Sequence, residues 1–299
     1  MQIPAFKLER YFARYEFNIE HLLCASDCES LAIQDLLALE PDAAERFHRH
    51  WLGYTESMGK PSLRKEICRL YHDIHPNQVL VHTGAEEAIF LFMHAVLNAK
   101  DHVIVQSPCY QSLAEIARSI GCRVSWWNVH EDNGWALDID ELKHSIQSDT
   151  RAIIINTPHN PTGYLMPSEL FQMVNRIARE NGIILFSDEV YRESEYQKED
   201  RLPAACELGE HSVSLGVMSK TYGLPGLRIG WIATQNEAVY NGMAALKDYT
   251  TICNSAPSEF LSELALRHRE KLVERNLRII IRNLGVLDEF FARYSDRFA

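Results

Sequence analysis

No stretch of the 299-residue chain strings together the roughly 18 apolar side chains that a membrane helix requires. The longest candidate, residues 88–97, is too short and carries His94. Residues 1–18 alternate charges with aromatics and lack the continuous apolar core of a signal peptide. The cytoplasm is therefore the expected compartment, with no membrane partner. Positive charge is also in short supply. Lys and Arg number 30 against 41 Asp and Glu, a formal net charge of −11 with no basic block, which argues against nucleic acid as a partner. Metal-ligand spacing is missing too. The seven cysteines are scattered, and the closest pair, Cys24 and Cys28, has no second pair or histidine group to complete a site. No metal is expected, and the cysteines read as reduced, buried thiols. Repeats, low-complexity tracts and linkers rich in Pro, Gly or Ser are absent. What is there is ordinary globular composition, 46% hydrophobic and 24% charged, on a chain long enough for one large domain plus a small one.

Apolar strand-like runs alternate with helical patterns along most of the chain. Residues 79–81 precede a helix over 85–97, 102–106 one over 110–119, 123–127 one over 139–146, and 151–156 one over 167–181. Further strands are expected at 183–188, 212–217 and 229–233. Several of these runs show no in/out alternation, as in parallel sheets covered by helices on both faces. Such α/β layers bind ligands at the carboxyl ends of their strands. Gly84, Asn160, Asp188 and Lys220 all fall at such ends or just beyond. Residues 236–249 and 257–294 read as helices, the second long and charge-rich.

The chemistry starts at Lys220, within Met218-Ser219-Lys220-Thr221-Tyr222-Gly223-Leu224-Pro225-Gly226-Leu227-Arg228. Apolar neighbours and glycines let backbone approach a ligand closely. Arg228 offers the planar fork suited to an anion such as phosphate. A lysine kept neutral by desolvation and nearby positive charge forms Schiff bases. Lysine plus phosphate anchor points to pyridoxal 5'-phosphate.

Three further segments accompany it: Asn156-Thr157-Pro158-His159-Asn160-Pro161-Thr162-Gly163, Ser187-Asp188-Glu189-Val190-Tyr191, and Thr83-Gly84-Ala85-Glu86-Glu87 opening the apolar helix. In this order and spacing, from about Leu22 to the last helix, the chain resembles the class I/II aminotransferases of pyridoxal-phosphate fold type I. Capreomycidine synthases and aspartate aminotransferases are members. The resemblance implies an α/β fold with a mostly parallel seven-stranded sheet between helices. It also implies an N-terminal segment over 1–45, a large cofactor domain over 46–255, and a long interdomain helix over 256–299 leading into an incomplete small domain.

The resemblance further assigns roles. Lys220 forms the aldimine and shuttles the proton. Asp188 pairs with the pyridine nitrogen, and Tyr191 and Asn160 bond the ring oxygen. Arg228, Ser219 and the N–H groups of Gly84-Ala85-Glu86 hold the phosphate, the last at a helix start suited to anions. Tyr110 stacks on the ring. Glu189 supports structure. Tyr54, in a Y-x-x-x-x-G-x-x-x-L-R segment ending at Arg64, crosses to the neighbour's phosphate in a homodimer. Ser26 and Asp27 lie in a stretch that often lines the substrate pocket.

Two positions depart from the family pattern. Glu86 replaces a neutral side chain, so its carboxylate is expected to turn away. Val217 replaces a hydroxyl donor, at a loss of about 1–3 kcal/mol where the phosphate oxygen goes unpaired. The family's substrate-carboxylate arginine has no counterpart after Arg228, since the remaining arginines lie on or beside the last helix. The expected activity is transfer of an α-amino group from an amino acid to a 2-oxo acid. The alternatives are a lyase or cyclase reaction on the same scaffold, or a cofactor-binding but impaired, truncated homologue.

Overall fold

The computed structural model describes residues 2–298. Four helices come first: α1 (Lys7–Tyr15), α2 (Ile33–Leu37), α3 (Ala43–His48) and α4 (Pro61–Cys68). The alternating region follows as β1 (Val79–His82), α5 (Gly84–Val96), β2 (His102–Ser107), α6 (Ser112–Ile120), β3 (Arg123–Asn128), α7 (Ile139–Ser145), β4 (Thr150–Asn156), α8 (Ser168–Glu180), β5 (Ile184–Asp188), β6 (Ser212–Val217) and β7 (Gly230–Thr234). The chain closes with α9 (Glu237–Lys247), α10 (Ala256–Arg267) and α11 (Arg269–Arg293).

Local chemistry marks the boundaries. Pro61 occupies the first turn of α4, where its missing N–H costs nothing. Asp138 and Asn236 accept from backbone N–H groups at the starts of α7 and α9. Gly121, at φ +105°, ends α6 in the left-handed conformation that a Cβ disfavours.

The seven strands form one sheet in the order β1-β7-β6-β5-β4-β2-β3. β7 runs antiparallel to both neighbours and the other pairs are parallel. β1, β5, β6 and β7 are buried along their whole length, whereas β3 lies at an edge with an exposed first residue. The start of β7 therefore lies at the same sheet edge as the carboxyl ends of β1, β4, β5 and β6. Connections run outward one way from β2 to β3 and the other way from β4 through β5 to β6. The strand order reverses between β2 and β4, the kind of switch point near which ligands of open α/β sheets bind.

Two expectations are corrected. The helix expected over 257–294 is broken at His268. No Gly or Pro marks the break. Arg267 and His268 both grip Glu40, at 2.8 and 3.1 Å, and α10 packs against α2 and α4 while α11 departs. The cysteines are free, but only Cys122 and Cys206 are buried and Cys24 is exposed. The distal half of α11 shows Val286, Leu287, Phe290 and Phe291 to solvent.

Candidate active site

The β6–β7 connection leaves and re-enters the sheet at one point, because Val217 pairs with Gly230. The Met218 N–H donates to the Ile229 carbonyl, and the Leu224 N–H to the Met218 carbonyl, each at 3.0 Å. Lys220 and Arg228 are the cations of this compact loop. Both line a cavity of about 410 Å³, as do Ala85, Glu86, Tyr110, Asn160, Asp188, Tyr191 and Ser219.

One end of the cavity is shaped by missing side chains. Gly84 opens α5 at φ +79°, and a Cβ there would stand 2.6 Å from Arg228 Nη2. A Cβ on Gly230 would stand 2.7 Å from the Gly84 carbonyl carbon and 2.8 Å from the Ala85 nitrogen. Two bare glycines thus let a guanidinium, a strand start and a helix start converge. Thr83 makes no side-chain cap, so the leading N–H groups of this 13-residue helix lack intrahelical acceptors and favour an anion. Arg228 holds φ +50°, a left-handed conformation that costs an L-residue roughly 1–2 kcal/mol. Glu87 steadies the turn. Its Oε2 accepts from the Thr83 N–H at 2.6 Å, and its Oε1 from the Thr250 and Thr251 hydroxyls.

Glu86 borders the cavity, with Oε1 accepting from the Ser112 hydroxyl of α6 and Oε2 buried without a partner. Burial raises its pKa, against the Ser112 bond and with help from the Glu9 charge.

The other end is built from strand termini. Asp188 ends β5 and is 5% exposed. One of its oxygens accepts from the Val190 N–H at 3.2 Å. Its carbonyl accepts from the Thr157 N–H at 3.0 Å and Asn156 Nδ2 at 2.9 Å, while Asn156 Oδ1 receives the Asn160 N–H at 2.7 Å. Asn156, which the sequence reading left without a role, therefore lashes two strand ends together. Burial pushes Asp188 up to about 7, with the Val190 N–H opposing and the Glu189 charge adding. Glu189 itself is buried off the cavity wall, its Oε1 accepting from the Ala205 N–H and the Ser214 hydroxyl. Burial raises the Tyr191 phenol to about 12, opposed first by the Ser26 hydroxyl.

The N-terminal region closes the cavity, and the part played by α1 is what the sequence reading missed. Leu8, Glu9, Phe12 and Glu16 of α1 line it, together with Ser26 and Asp27. The Tyr110 hydroxyl donates to Glu9 Oε1 at 3.0 Å, and its ring packs 4.9 Å from that of Phe6. Lys220 Nζ donates to Ser26 Oγ at 3.0 Å. The i,i+4 pairing of Leu8 with Phe12 was the available signal. Tyr54 is 86% exposed and does not line the cavity. Among the described residues no cluster of His, Cys, Asp or Glu is placed to hold a metal, and no helix is long and apolar enough to cross a membrane.

Comparison with known proteins agrees with this geometry. Residues 20–292 match the family described as aminotransferase class I and II. Capreomycidine synthase of Streptomyces vinaceus is 26% identical, over 92% of this chain and 71% of its own length. A probable aspartate aminotransferase of Methanocaldococcus jannaschii is 27% identical, over 86% of this chain and 71% of its own. Among solved structures, a PLP-dependent aminotransferase from Streptococcus suis superposes with a TM-score of 0.91 at 33% identity, covering 98% of this chain and 78% of that one.

Proposed function

The chain belongs to the aminotransferase class I and II family, and from that premise we propose that it moves the α-amino group of an amino acid to a 2-oxo acid, with Lys220 as the reacting amine. The observation that carries this reading is the meeting of Lys220 and Arg228, from the β6–β7 loop, with Asp188, from the end of β5, on the wall of one cavity.

Pyridoxal 5'-phosphate is the cofactor of the family, and the residues present suit it. The bare glycines bring the Arg228 guanidinium against the start of α5, the convergence of donors that a phosphate group needs. Asp188 is a nearly buried carboxylate with one backbone donor, matched to a protonated pyridine nitrogen. When bound, the cofactor supplies an electron sink conjugated to the substrate's Cα. Arg228, Ser219 and the leading N–H groups of α5 bind the phosphate. Asp188 holds a proton at the ring nitrogen, and Tyr191 and Asn160 hydrogen-bond the ring oxygen. Lys220 Nζ takes the proton from Cα and returns it on the other side of the transfer. Tyr110 covers the ring, and α1 with Leu8 and Phe12 keeps water out.

The wall also bears on the substrate. Glu9, Glu16 and Asp27 make no salt bridge to any described residue, so their charges are uncompensated once Arg228 holds a phosphate. A second substrate carboxylate near one of them would cost on the order of 1–2 kcal/mol at the effective dielectric of a half-open site. Neutral or basic side chains are favoured over acidic ones.

Tyr54 sits with Trp51 and Leu52 on an exposed apolar patch, which supports a homodimer in which Tyr54 reaches the second copy's phosphate. Seven free cysteines support the cytoplasm as the compartment.

The decisive experiment supplies cofactor, a ¹⁵N-labelled amino acid and a 2-oxo acid, and follows the label. Label in the new amino acid supports transfer, with alanine or ornithine expected to outpace aspartate. Consumption of the donor with no label transferred refutes it. That outcome favours elimination or cyclisation, the second reading, which the likeness to capreomycidine synthase supports.

A further inference from the structure

Ser26 belongs to none of the helices or strands. It lies in the exposed connection between α1 and α2, yet its hydroxyl accepts from Lys220 Nζ at 3.0 Å across 194 residues of sequence. The same hydroxyl faces the Tyr191 phenol. Such a contact could be a chance meeting of two mobile side chains, but both segments are clamped by one element. Arg275 of α11 donates Nη1 to the Glu29 carbonyl at 2.8 Å, three residues from Ser26. The next residue, Asn276, is buried and donates Nδ2 to the Thr221 carbonyl at 2.9 Å, one residue from Lys220. Arg275 and Asn276 are joined to each other at 2.7 Å. Gly223 seals the seam. A Cβ there would meet Asn276 Nδ2 at 3.1 Å and the Glu29 carbonyl at 3.4 Å. Adjacent residues of α11 thus fix both the serine and the lysine.

We propose that Ser26 is a positioning residue for Lys220, its hydroxyl holding the amine whenever that amine is not bonded to the cofactor. A lysine side chain has four rotatable bonds, and a fixed acceptor removes most of the conformers that point Nζ away from the reacting carbon. The hydroxyl suits this task because it is neutral. It steadies the amine without the ion pairing by which a carboxylate would keep it protonated and non-nucleophilic. The inference rests on Lys220 being the cofactor lysine.

The test uses apo-protein and the substitutions Ser26→Val and Ser26→Thr, which share a shape and differ by a hydroxyl. Each protein is mixed with pyridoxal 5'-phosphate, quenched with borohydride at timed intervals, and digested, and the pyridoxyl group on the Lys220 peptide is quantified. Ser26→Thr is expected to react within about twofold of the unsubstituted protein and Ser26→Val about tenfold more slowly. Thermal unfolding should be unchanged in both. With amino acid present, Ser26→Val should lower kcat and leave KM unchanged, and Ser26→Ala should behave as Ser26→Val does. Equal rates for the Val and Thr proteins overturn the role of the hydroxyl. An adduct on a different lysine overturns the assignment of Lys220 instead, and the peptide map tells the two failures apart.

Discussion

Replacing Gly230 with alanine adds one methyl group and tests the anion end of the cavity directly. The new Cβ would lie 2.7 Å from the Gly84 carbonyl carbon, 2.8 Å from the Ala85 nitrogen and 3.0 Å from the Gly84 oxygen. Carbon atoms in contact prefer about 3.5–4.0 Å, so one side must retreat by roughly 1 Å. None of the three atoms belongs to a side chain that could rotate aside. Gly230 is pinned by pairing with His82 on one side and Val217 on the other, so the start of α5 is what moves.

Two consequences follow with different sizes. Overpacking of this kind costs about 1–3 kcal/mol of folding stability. A retreat of 1 Å also stretches the backbone N–H bonds to a phosphate beyond useful length, and bonds to a charged group are worth about 1.5–3 kcal/mol each. Loss of two would weaken cofactor binding by roughly 10² or more. The assay is an absorbance titration of apo-protein with pyridoxal 5'-phosphate and, in parallel, with pyridoxal, which lacks the phosphate. Pyridoxal binding should change little. A Gly230→Ala protein that binds both forms as the parent does would refute the cradle, and equal loss for both would show general damage instead.

Asp188→Ala should still bind cofactor but slow deuterium exchange at the substrate Cα by roughly 10²–10⁴-fold, read by NMR, with exchange at the parent rate assigning Asp188 a structural role alone. Burial raises both Asp188 and Glu189 to about 7 from 3.8 and 4.5, so the folded apo-protein binds more protons than the unfolded chain between those limits. Their contribution to stability is then full below the unfolded values and lost as pH rises through about 7. The urea midpoint of apo-protein should fall from about pH 5 to pH 8, and Asp188→Asn should flatten that slope, whereas an unchanged slope would contradict the assignment. Light scattering at micromolar concentration should give twice the 34.4 kDa chain mass, and Tyr54→Ala should weaken cofactor binding. A monomer that binds the cofactor tightly would contradict the shared site.

What was legible in the sequence is what sits on short segments after buried strands. Strand runs such as Ile153-Ile154-Ile155 announce themselves by unbroken apolarity, and Lys220 and Arg228 share one loop, so spacing alone relates them. The antiparallel setting of β7 was not legible, because a five-residue apolar strand reads the same in either direction. It decides the site nonetheless. With β7 reversed, Arg228 would enter from the far edge of the sheet, away from Gly84. The break at His268 was hidden for a related reason, since the residue that draws the chain aside is Glu40, 228 positions away.

The contribution of α1 was hardest to foresee, and the cause is physical. α1 has no buried residue of its own, and its N-cap position, Phe6, offers no side-chain acceptor. An isolated helix of nine residues is marginal in water. Its order therefore comes from what it covers: the Tyr110 hydroxyl on Glu9, the Gln111 side chain on the Lys7 N–H and the Ala5 carbonyl, and the cavity mouth under Leu8 and Phe12. Contacts this few can be broken and remade without disturbing the sheet. That suits a wall which must admit a substrate and then exclude water, while Ser26, held to α11 through Glu29 and Arg275, stays in place beneath it.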